Sequence, residues 1–147
     1  MKRYVLGIRL KIPDNEAHTA LATLQRLAVP VSGIEHVDVW DFETSGTLQE
    51  LVGAVEKNEA LFNANKHEVV PFAQAMPRDG EVWIENIEHS VDVRRLFTGK
   101  AVAGVVRARR FTAWRLFGEN GEASDGTVVQ MAVERLLCNP AIERAII

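Results

Sequence analysis

Two stretches in the first half of the chain show the two-residue alternation of side chains that predicts β-strands. Residues 4–12 have an apolar side chain at every second position, which indicates a half-buried strand that ends at a proline. The alternation in 34–42 is mixed, because His36 and Asp38 share a face with two aromatic residues. Such a pattern suits a strand at an interface. A third strand is predicted at 67–72.

Two amphipathic helices are predicted between these strands. The first can be capped by Asp14 or Asn15 and should run to Val29, because Pro30 lacks the amide hydrogen that a helix needs. The second follows a capping box at 47–50, where a threonine hydroxyl and a glutamate carboxylate satisfy free amides. The apolar stripes are Ala17, Ala20, Leu21, Leu24, Leu27 and Ala28 in the first helix, and Leu48, Leu51, Val52 and Val55 in the second.

The second half of the chain begins after 73–80, a segment rich in Pro, Asp and Gly that is the clearest turn or linker signal. Behind it the pattern predicts a strand at 82–87 and a short helix from 92 to 97. A break follows at Gly99. A long extended run is then predicted at 105–117.

The last stretch, 127–147, contains a helix, a stop and an extended segment. The apolar stripe of the helix consists of Val129, Ala132, Val133, Leu136 and Leu137. Asn139 can adopt a left-handed turn, and Pro140 prevents the helix from continuing. Residues 141–147 must therefore be extended or irregular.

These elements predict an α+β fold, with a mostly antiparallel sheet and helices packed on one of its faces. The order of elements also repeats along the chain. Residues 33–40 can be laid on 104–111 at an offset of 71, and 61–63 on 137–139 at an offset of 76. We therefore predict two tandem halves. The predicted division is 1–72, a linker at 73–80, and 81–147.

The last helix and turn resemble the C-terminal end of PurS, the small subunit of phosphoribosylformylglycinamidine synthase. In that family a helix closes on a Leu-Leu-x-Asn-Pro-x-Ile-Glu run before a last strand. The matching residues here are Leu136, Leu137, Asn139, Pro140, Ile142 and Glu143. The opening at 5–28 is also similar, with a strand of basic and apolar residues, a turn with Pro and Asp, and a helix of small residues and Leu.

The resemblance implies a chain of about half this length that has two helices on one side of a small sheet and works as a dimer. A tandem PurS-like chain would be a fused version of that dimer. The resemblance also implies a non-catalytic component of a glutamine-dependent ligase complex of purine biosynthesis, which assists assembly and ammonia transfer. The expected partners are the synthetase and glutaminase subunits, together with further copies of the chain in a homo-oligomer. No cofactor is expected on the chain itself.

Composition adds a cellular context. The 147 residues are 47% hydrophobic and carry a formal charge of -3, which is ordinary for a globular chain with one medium domain or two small ones. No apolar run is long enough to span a bilayer, and the first residues are too interrupted by charge for a signal peptide. Cys138 is the single cysteine, which excludes an internal disulfide. We expect a cytoplasmic protein.

Charge is distributed unevenly along the chain. Residues 94–118 hold seven Arg or Lys and no acid, whereas the remainder is acidic. Bases interleaved with aromatics along 105–117 are what a sheet that binds single-stranded nucleic acid can show. The negative total charge argues against that role, because such binding depends on a positive field over many phosphates. A strand that docks a protein or is salt-linked internally is the favoured interpretation, and nucleic acid is not an expected partner.

Residues that could carry chemistry are sparse. The four histidines show no metal-ligand spacing, and a metal site built from His36, Asp38 and a distant partner is not predicted. Cys138 stands near a helix C-terminus, whose partial negative charge disfavours a thiolate, so we predict a packing role. The sequence at 98–100 lacks the preceding glycine and the following Ser or Thr of a P-loop, so a turn is predicted there. No catalytic or cofactor-binding residue is predicted.

The candidate interaction residues are Arg107, Arg109, Arg110, Trp114, Asn139 and Pro140. Two functions from other classes stay open beside the PurS-like one. The first is a ferredoxin-like regulatory domain that binds a small molecule. The second is a nucleic-acid-binding module that uses the basic strand at 105–117.

Overall fold

The computed structural model describes residues 1–97 and 104–147. The predicted break at Gly99 and the predicted turn at 98–100 lie outside the described residues. In chain order the elements are β1 (Lys2–Leu10), α1 (Asn15–Arg26), β2 (Gly33–Thr44), α2 (Leu48–Glu56), β3 (His67–Phe72), β4 (Glu81–Asn86), α3 (Val93–Leu96), β5 (Val105–Phe117), α4 (Gly126–Ala132), a π-helical segment (Val133–Leu137) and β6 (Glu143–Ile146).

The strands form a six-stranded antiparallel sheet in the order β3-β1-β2-β5-β4-β6. β1 pairs with both β2 and β3, and β4 pairs with both β5 and β6. The same order of strand, helix, strand, helix, strand therefore occurs twice along the chain, with the first strand of each set in the middle. The predicted fold class is confirmed, since the chain is α+β with helices packed against an antiparallel sheet.

The chain divides into two compact units that interleave along the sequence. Unit 1 comprises Met1–Ile12, Asp38–Ala75 and Ser90–Arg110, and unit 2 comprises Pro13–Val37, Met76–His89 and Phe111–Ile147. Each unit takes segments from both predicted halves, because β2 and β5 each contribute to both units. The tandem division of the sequence therefore stays a prediction.

The core of unit 1 lies between α2 and the strands β1 and β2. Leu6 of β1 and Phe42 of β2 are fully buried, as are Leu51 and Val55 on one side of α2. Side chains two positions apart on a strand, or four apart on a helix, lie on the same face, so each element contributes its buried residues to one layer. The other buried members are Ile8, Trp40, Leu61, Phe62 and Ala108.

The core of unit 2 lies between α1, α4 and the strands β4 and β5. Val82 and Leu116 supply the strand side, while Leu24 of α1 and Val129 and Ala132 of α4 supply the helix side. The remaining buried members are Val29, Val31, Ile84, Val133 and Leu137. The predicted apolar stripe of the last helix therefore has four of its five members in this core, since Leu136 is exposed.

The prediction that the first strand is half-buried is wrong for its middle. All four residues from Val5 to Ile8 are buried, because the second face carries Val5 and Gly7 and not only the basic residues near the strand ends. Strand β4 of unit 2 is also buried on both faces. On its second face the ring of Trp83 packs on that of Phe111, with centroids 5.1 Å apart.

Helix α1 ends at Arg26, before the predicted end at Val29. The reason is a left-handed turn at Ala28, whose φ is 62°. The amide of Ala28 donates to the carbonyl of Gln25, and the amide of Val29 donates to that of Leu24. These two bonds form a Schellman motif, which ends the helix before the proline is reached.

The last helix departs from α geometry after Ala132. From Val133 to Leu137 it is a π-helix, and the amide of Cys138 donates to the carbonyl of Val133 at 3.3 Å. The chain then turns at Asn139 and enters β6, which pairs with β4 and forms one edge of the sheet. The predicted sequence of helix, stop and extended segment is confirmed.

Candidate functional site

Three of the candidate interaction residues are arginines on β5 in unit 1, where strand alternation separates them onto two faces. Arg110 shares its face with the buried Ala108. Arg107 and Arg109 point to the other face. The basic strand therefore presents two different environments and not one continuous positive surface.

Arg110 is salt-linked inside unit 1. Its Nε and Nη2 atoms donate to the two carboxylate oxygens of Asp38 at 2.9 and 3.1 Å. The guanidinium carbon lies 5.1 Å from the ring centroid of Trp40, and the indole of Trp40 donates to Asp38 at 3.2 Å. A bidentate ion pair against an aromatic face holds the arginine in one place. Much of its charge is therefore already neutralised.

Arg107 and Arg109 line an open cleft of about 170 Å³ in unit 1, together with Arg3, Asp41 and Glu43. Arg3 donates to both oxygens of Asp41, at 2.9 Å from Nε and 2.5 Å from Nη2. This hydrogen bonding, followed by the charge of Asp41, raises the pKa of the Arg3 guanidinium. Three cations and two carboxylates meet in the cleft, so it suits a polar partner with charges of both signs.

Trp114 has a packing role in unit 2. Its ring stacks on the imidazole of His36, with centroids 4.3 Å apart and planes 18° from parallel. It is partly buried against the core of that unit. The Trp114 side chain therefore positions His36, and the sequence does not indicate this role.

Asn139 and Pro140 form the exposed turn before β6. The Asn139 side chain accepts from the amide of Ala141 at 3.1 Å, and its carbonyl accepts from the amides of Ile142 and Glu143. The Glu143 carboxylate accepts from the Asn139 amide at 2.8 Å. These contacts aim the chain into the edge strand, so the two residues shape the terminal strand.

A cluster of His36, Asp14 and Glu16 in unit 2 is the feature that sequence reasoning missed. His36 Nδ1 lies 3.0 Å from Asp14 Oδ2 and 3.7 Å from Glu16 Oε2. One ligand-type atom from each residue lies within 4.8 Å of the other two, which singles out this trio in the part of the chain that the structure describes. The signal was not visible in the sequence, because Asp14, the cap of α1, lies 22 positions before His36 of β2.

Cys138 is half-buried at the end of the π-helical segment. Burial, and secondarily the charge of Glu143, raises the pKa of its thiol. A raised pKa keeps the sulfur protonated near neutral pH and makes it a poor nucleophile.

No protein-family model matches the chain, and no curated protein matches it. None of the helices within 1–97 and 104–147 is long and apolar enough to cross a membrane.

The described geometry therefore offers two kinds of site. The charged cleft of unit 1 and the edge strand β6 suit contact with another protein. The histidine–carboxylate cluster of unit 2 suits an ion.

Proposed function

We propose that this chain is a non-catalytic, PurS-like subunit that assists assembly and ammonia transfer in phosphoribosylformylglycinamidine synthase, in the cytoplasm. The observation that carries the proposal is the geometry of the chain end. The helical residues run to Leu137, the chain turns at Asn139 and Pro140, and β6 then lies at the edge of the sheet. This order of helix, turn and last strand is the one that the resemblance to PurS implies.

The repeated pairing supports the tandem form of the proposal. β1 is flanked by β2 and β3, and β4 is flanked by β5 and β6. A subunit family that works as a dimer is converted into a single chain by joining two such sets. On this proposal the fused chain does the work of the dimer.

The two edge strands offer unequal docking surfaces. An edge strand presents unpaired backbone groups to which another chain can add a strand. β3 contains Pro71, which lacks an amide hydrogen and so weakens such pairing, whereas β6 contains no proline. We therefore assign contact with the synthetase or glutaminase subunit to β6, with the charged cleft of unit 1 as a second contact.

The test reconstitutes the complex from this chain and the synthetase and glutaminase subunits of the same organism. With ATP and glutamine present, we expect the three to co-elute in size-exclusion chromatography. Leaving this chain out should abolish the glutamine-dependent reaction and spare the reaction supplied with free ammonia. Absence of association in the presence of both ligands would reject the proposal.

A pair of charge reversals tests the second contact. Arg107→Glu with Arg109→Glu places two negative charges in the cleft, where Asp41 and Glu43 already lie. We expect the double variant to weaken association by tenfold or more, which corresponds to about 1.4 kcal/mol. Arg94→Glu with Arg95→Glu is the matched control, since these exposed arginines belong to the same basic stretch, residues 94–118, but lie on α3. Equal weakening by both pairs would point to bulk charge and not to the cleft.

The same reagents address the nucleic-acid alternative. The ion pair between Arg110 and Asp38 removes one cation from the surface that such a module would use. Affinity for a single-stranded oligonucleotide that falls steeply with salt and is lost on neutralising Arg107, Arg109 and Arg110 would favour that alternative.

A further inference from the structure

We infer that Asp14, Glu16 and His36 form a binding site for a divalent first-row transition-metal ion such as Zn²⁺. The three residues belong to unit 2 and come from the start of α1 and from β2. The site does not depend on the proposed subunit role.

The distances suit a shared ion. A zinc ion lies about 2.0–2.2 Å from nitrogen and oxygen ligands, so neighbouring ligand atoms in a tetrahedral site are about 3.3–3.6 Å apart. Asp14 Oδ2 and His36 Nδ1 are 3.0 Å apart and need to separate only slightly. Glu16 Oε2 is 3.7 Å from the same nitrogen. Its side chain is 77% exposed and has three rotatable bonds, so a small rotation closes that gap.

Two of the three ligands are held in place by contacts outside the cluster. The His36 ring is stacked on Trp114, which sets the plane of the imidazole and therefore the direction of its nitrogens. Asp14 caps α1, because its Oδ1 atom accepts from the amide of Ala17 at 3.0 Å. That bond directs the other oxygen, Oδ2, towards the histidine. Such outside contacts are how proteins orient metal ligands before the ion arrives.

The charge of the cluster also favours a divalent cation. Two carboxylates carry two negative charges, and a neutral imidazole adds none. Among residues 1–97 and 104–147, Asp14 and Glu16 lie within 4 Å of a His36 ring nitrogen and form ion pairs with no lysine or arginine. By contrast, Asp38, Asp41, Glu68, Glu81 and Glu85 each have an arginine partner. A divalent ion would balance these two carboxylates, which have no lysine or arginine partner among the described residues.

The ligand types narrow the choice of metal ion. Imidazole nitrogen suits zinc, copper, iron and nickel, whereas carboxylate oxygen suits magnesium, calcium and manganese. One imidazole with two carboxylates therefore favours an ion that accepts both, such as Zn²⁺, Mn²⁺ or Fe²⁺. Three protein ligands leave a fourth position for water, which is the arrangement of exchangeable zinc sites rather than closed structural ones.

The competing arrangement is a plain hydrogen bond in which His36 Nδ1 donates to Asp14. It predicts no specific affinity for a metal. The two arrangements are distinguished by titrating the full chain with ZnCl₂ alone in isothermal calorimetry, with MgCl₂ as the comparison ion. We expect one zinc ion per chain, with zinc preferred over magnesium, and a rise in melting temperature when zinc is added.

Glu16→Gln is the decisive variant, because its exposed side chain can be changed without disturbing the core. It should weaken zinc binding by roughly 10- to 100-fold, since even groups that only support a ligand have effects of that size. His36→Gln should abolish binding. Glu50→Gln is the matched control, because Glu50 is also an exposed acid in the first turn of a capped helix, and it should leave zinc affinity unchanged.

Two results would overturn the inference. The first is the absence of zinc binding at millimolar concentration. The second is zinc binding that Glu16→Gln and His36→Gln leave intact, which would mean adventitious binding by exposed histidines. If His36→Gln unfolds the chain, as circular dichroism would reveal, Glu16→Gln alone decides between the two arrangements.

Discussion

Each compact unit buries one carboxylate on a strand, and the two units neutralise it differently. In unit 1, Asp41 of β2 pairs with Arg3, which comes from β1 and whose side chain is 52% exposed. In unit 2, Glu81 of β4 has a fully buried side chain and pairs with Arg78, three residues earlier. The first pair joins two strands, whereas the second organises a turn.

The number of hydrogen bonds separates the two sites further. Glu81 accepts from the backbone amide of Arg78 at 3.0 Å, from its guanidinium Nη2 at 2.6 Å and from the indole of Trp83 at 3.0 Å. Asp41 accepts hydrogen bonds from the Arg3 guanidinium. The carboxylate that is fully buried and accepts from three protein groups should matter more for stability than the one that accepts from a half-exposed arginine.

The largest effect is expected from Glu81→Gln. The substitution removes the negative charge of a fully buried side chain to which the Arg78 guanidinium, itself partly exposed, donates. Losing this buried charge and its hydrogen bonds should lower the free energy of unfolding by about 3 kcal/mol. Urea denaturation measures the change. Glu88→Gln, an exposed acid of the same unit, should stay within about 0.5 kcal/mol of the unaltered chain, and equal losses for both would contradict the comparison.

Two glycines with positive φ extend the comparison to the backbone. In unit 2, a Cβ on Gly80 would lie 2.8 Å from the Leu116 carbonyl oxygen, and backbone atoms cannot move aside easily. In unit 1, a Cβ on Gly104 would meet chiefly the Ser45 hydroxyl, which can rotate away. Gly80→Ala should destabilise by about 2 kcal/mol and Gly104→Ala by about 1 kcal/mol. Thermal denaturation gives both values, and the reverse order would show that the serine is the more rigid obstacle.

Asp41→Asn should have a smaller effect than Glu81→Gln, about 1 to 2 kcal/mol, because the exposed Arg3 guanidinium can be hydrated once its partner is neutral. A double-mutant cycle with Arg3→Gln isolates the pair, and we expect a coupling of about 1 kcal/mol. A coupling near zero would mean that Asp41 is held by other groups.

Neither arginine should make stability depend on pH near neutrality. Hydrogen bonding to their carboxylates raises the pKa of both Arg3 and Arg78. A raised pKa of a cation contributes stability that is present below the unfolded value and is lost only as pH rises through the folded one. For arginine both values lie far above neutrality.

The smallest expected effect is a gain in stability from a substitution in unit 2. Ala28 occupies the left-handed position of the Schellman motif, where a Cβ is unfavourable. Ala28→Gly should therefore raise the free energy of unfolding by about 0.5 to 1 kcal/mol. Ala22→Gly, at an exposed position within α1, is the control and should lower it by a similar amount. A loss in both variants would show that chain entropy outweighs the relief of strain at Ala28.

Much of the fold could be predicted from local pattern. The third strand at 67–72 and the long strand at 105–117 have the predicted ends. The Thr47 hydroxyl accepts from the amide of Glu50 at 3.1 Å, which is one of the two hydrogen bonds predicted for the capping box. These features depend on residue types and on hydrogen bonds between residues that are close in the sequence, so the local pattern is enough to predict them.

The errors have a common cause. The pattern predicts the end of α1 too late, because nothing in the type of residue 28 indicates a left-handed conformation. It predicts a half-buried first strand, although Val5 and Gly7 are covered by the fold on their second face. Both outcomes depend on what packs against the segment.

The candidate sites were only partly predictable for the same reason. The six predicted interaction residues lie on one basic strand and one turn, and the structure divides the arginines between a cleft and the ion pair with Asp38. The sequence does not predict the histidine–carboxylate cluster. Its pattern groups His36 with Asp38 on the same strand, whereas the partners of His36 come from the start of the preceding helix.

The sequence by itself determined the class of the fold, the order of its strands and helices, and the turn at Asn139 and Pro140, because periodicity and backbone preferences act over a few residues. The tertiary structure alone decided which charges are neutralised and which remain available. Arg110 meets Asp38 across 72 positions, and His36 meets Asp14 across 22. Electrostatic and ligand contacts depend on distance in space, and distance in space is set by how strands pair and helices pack.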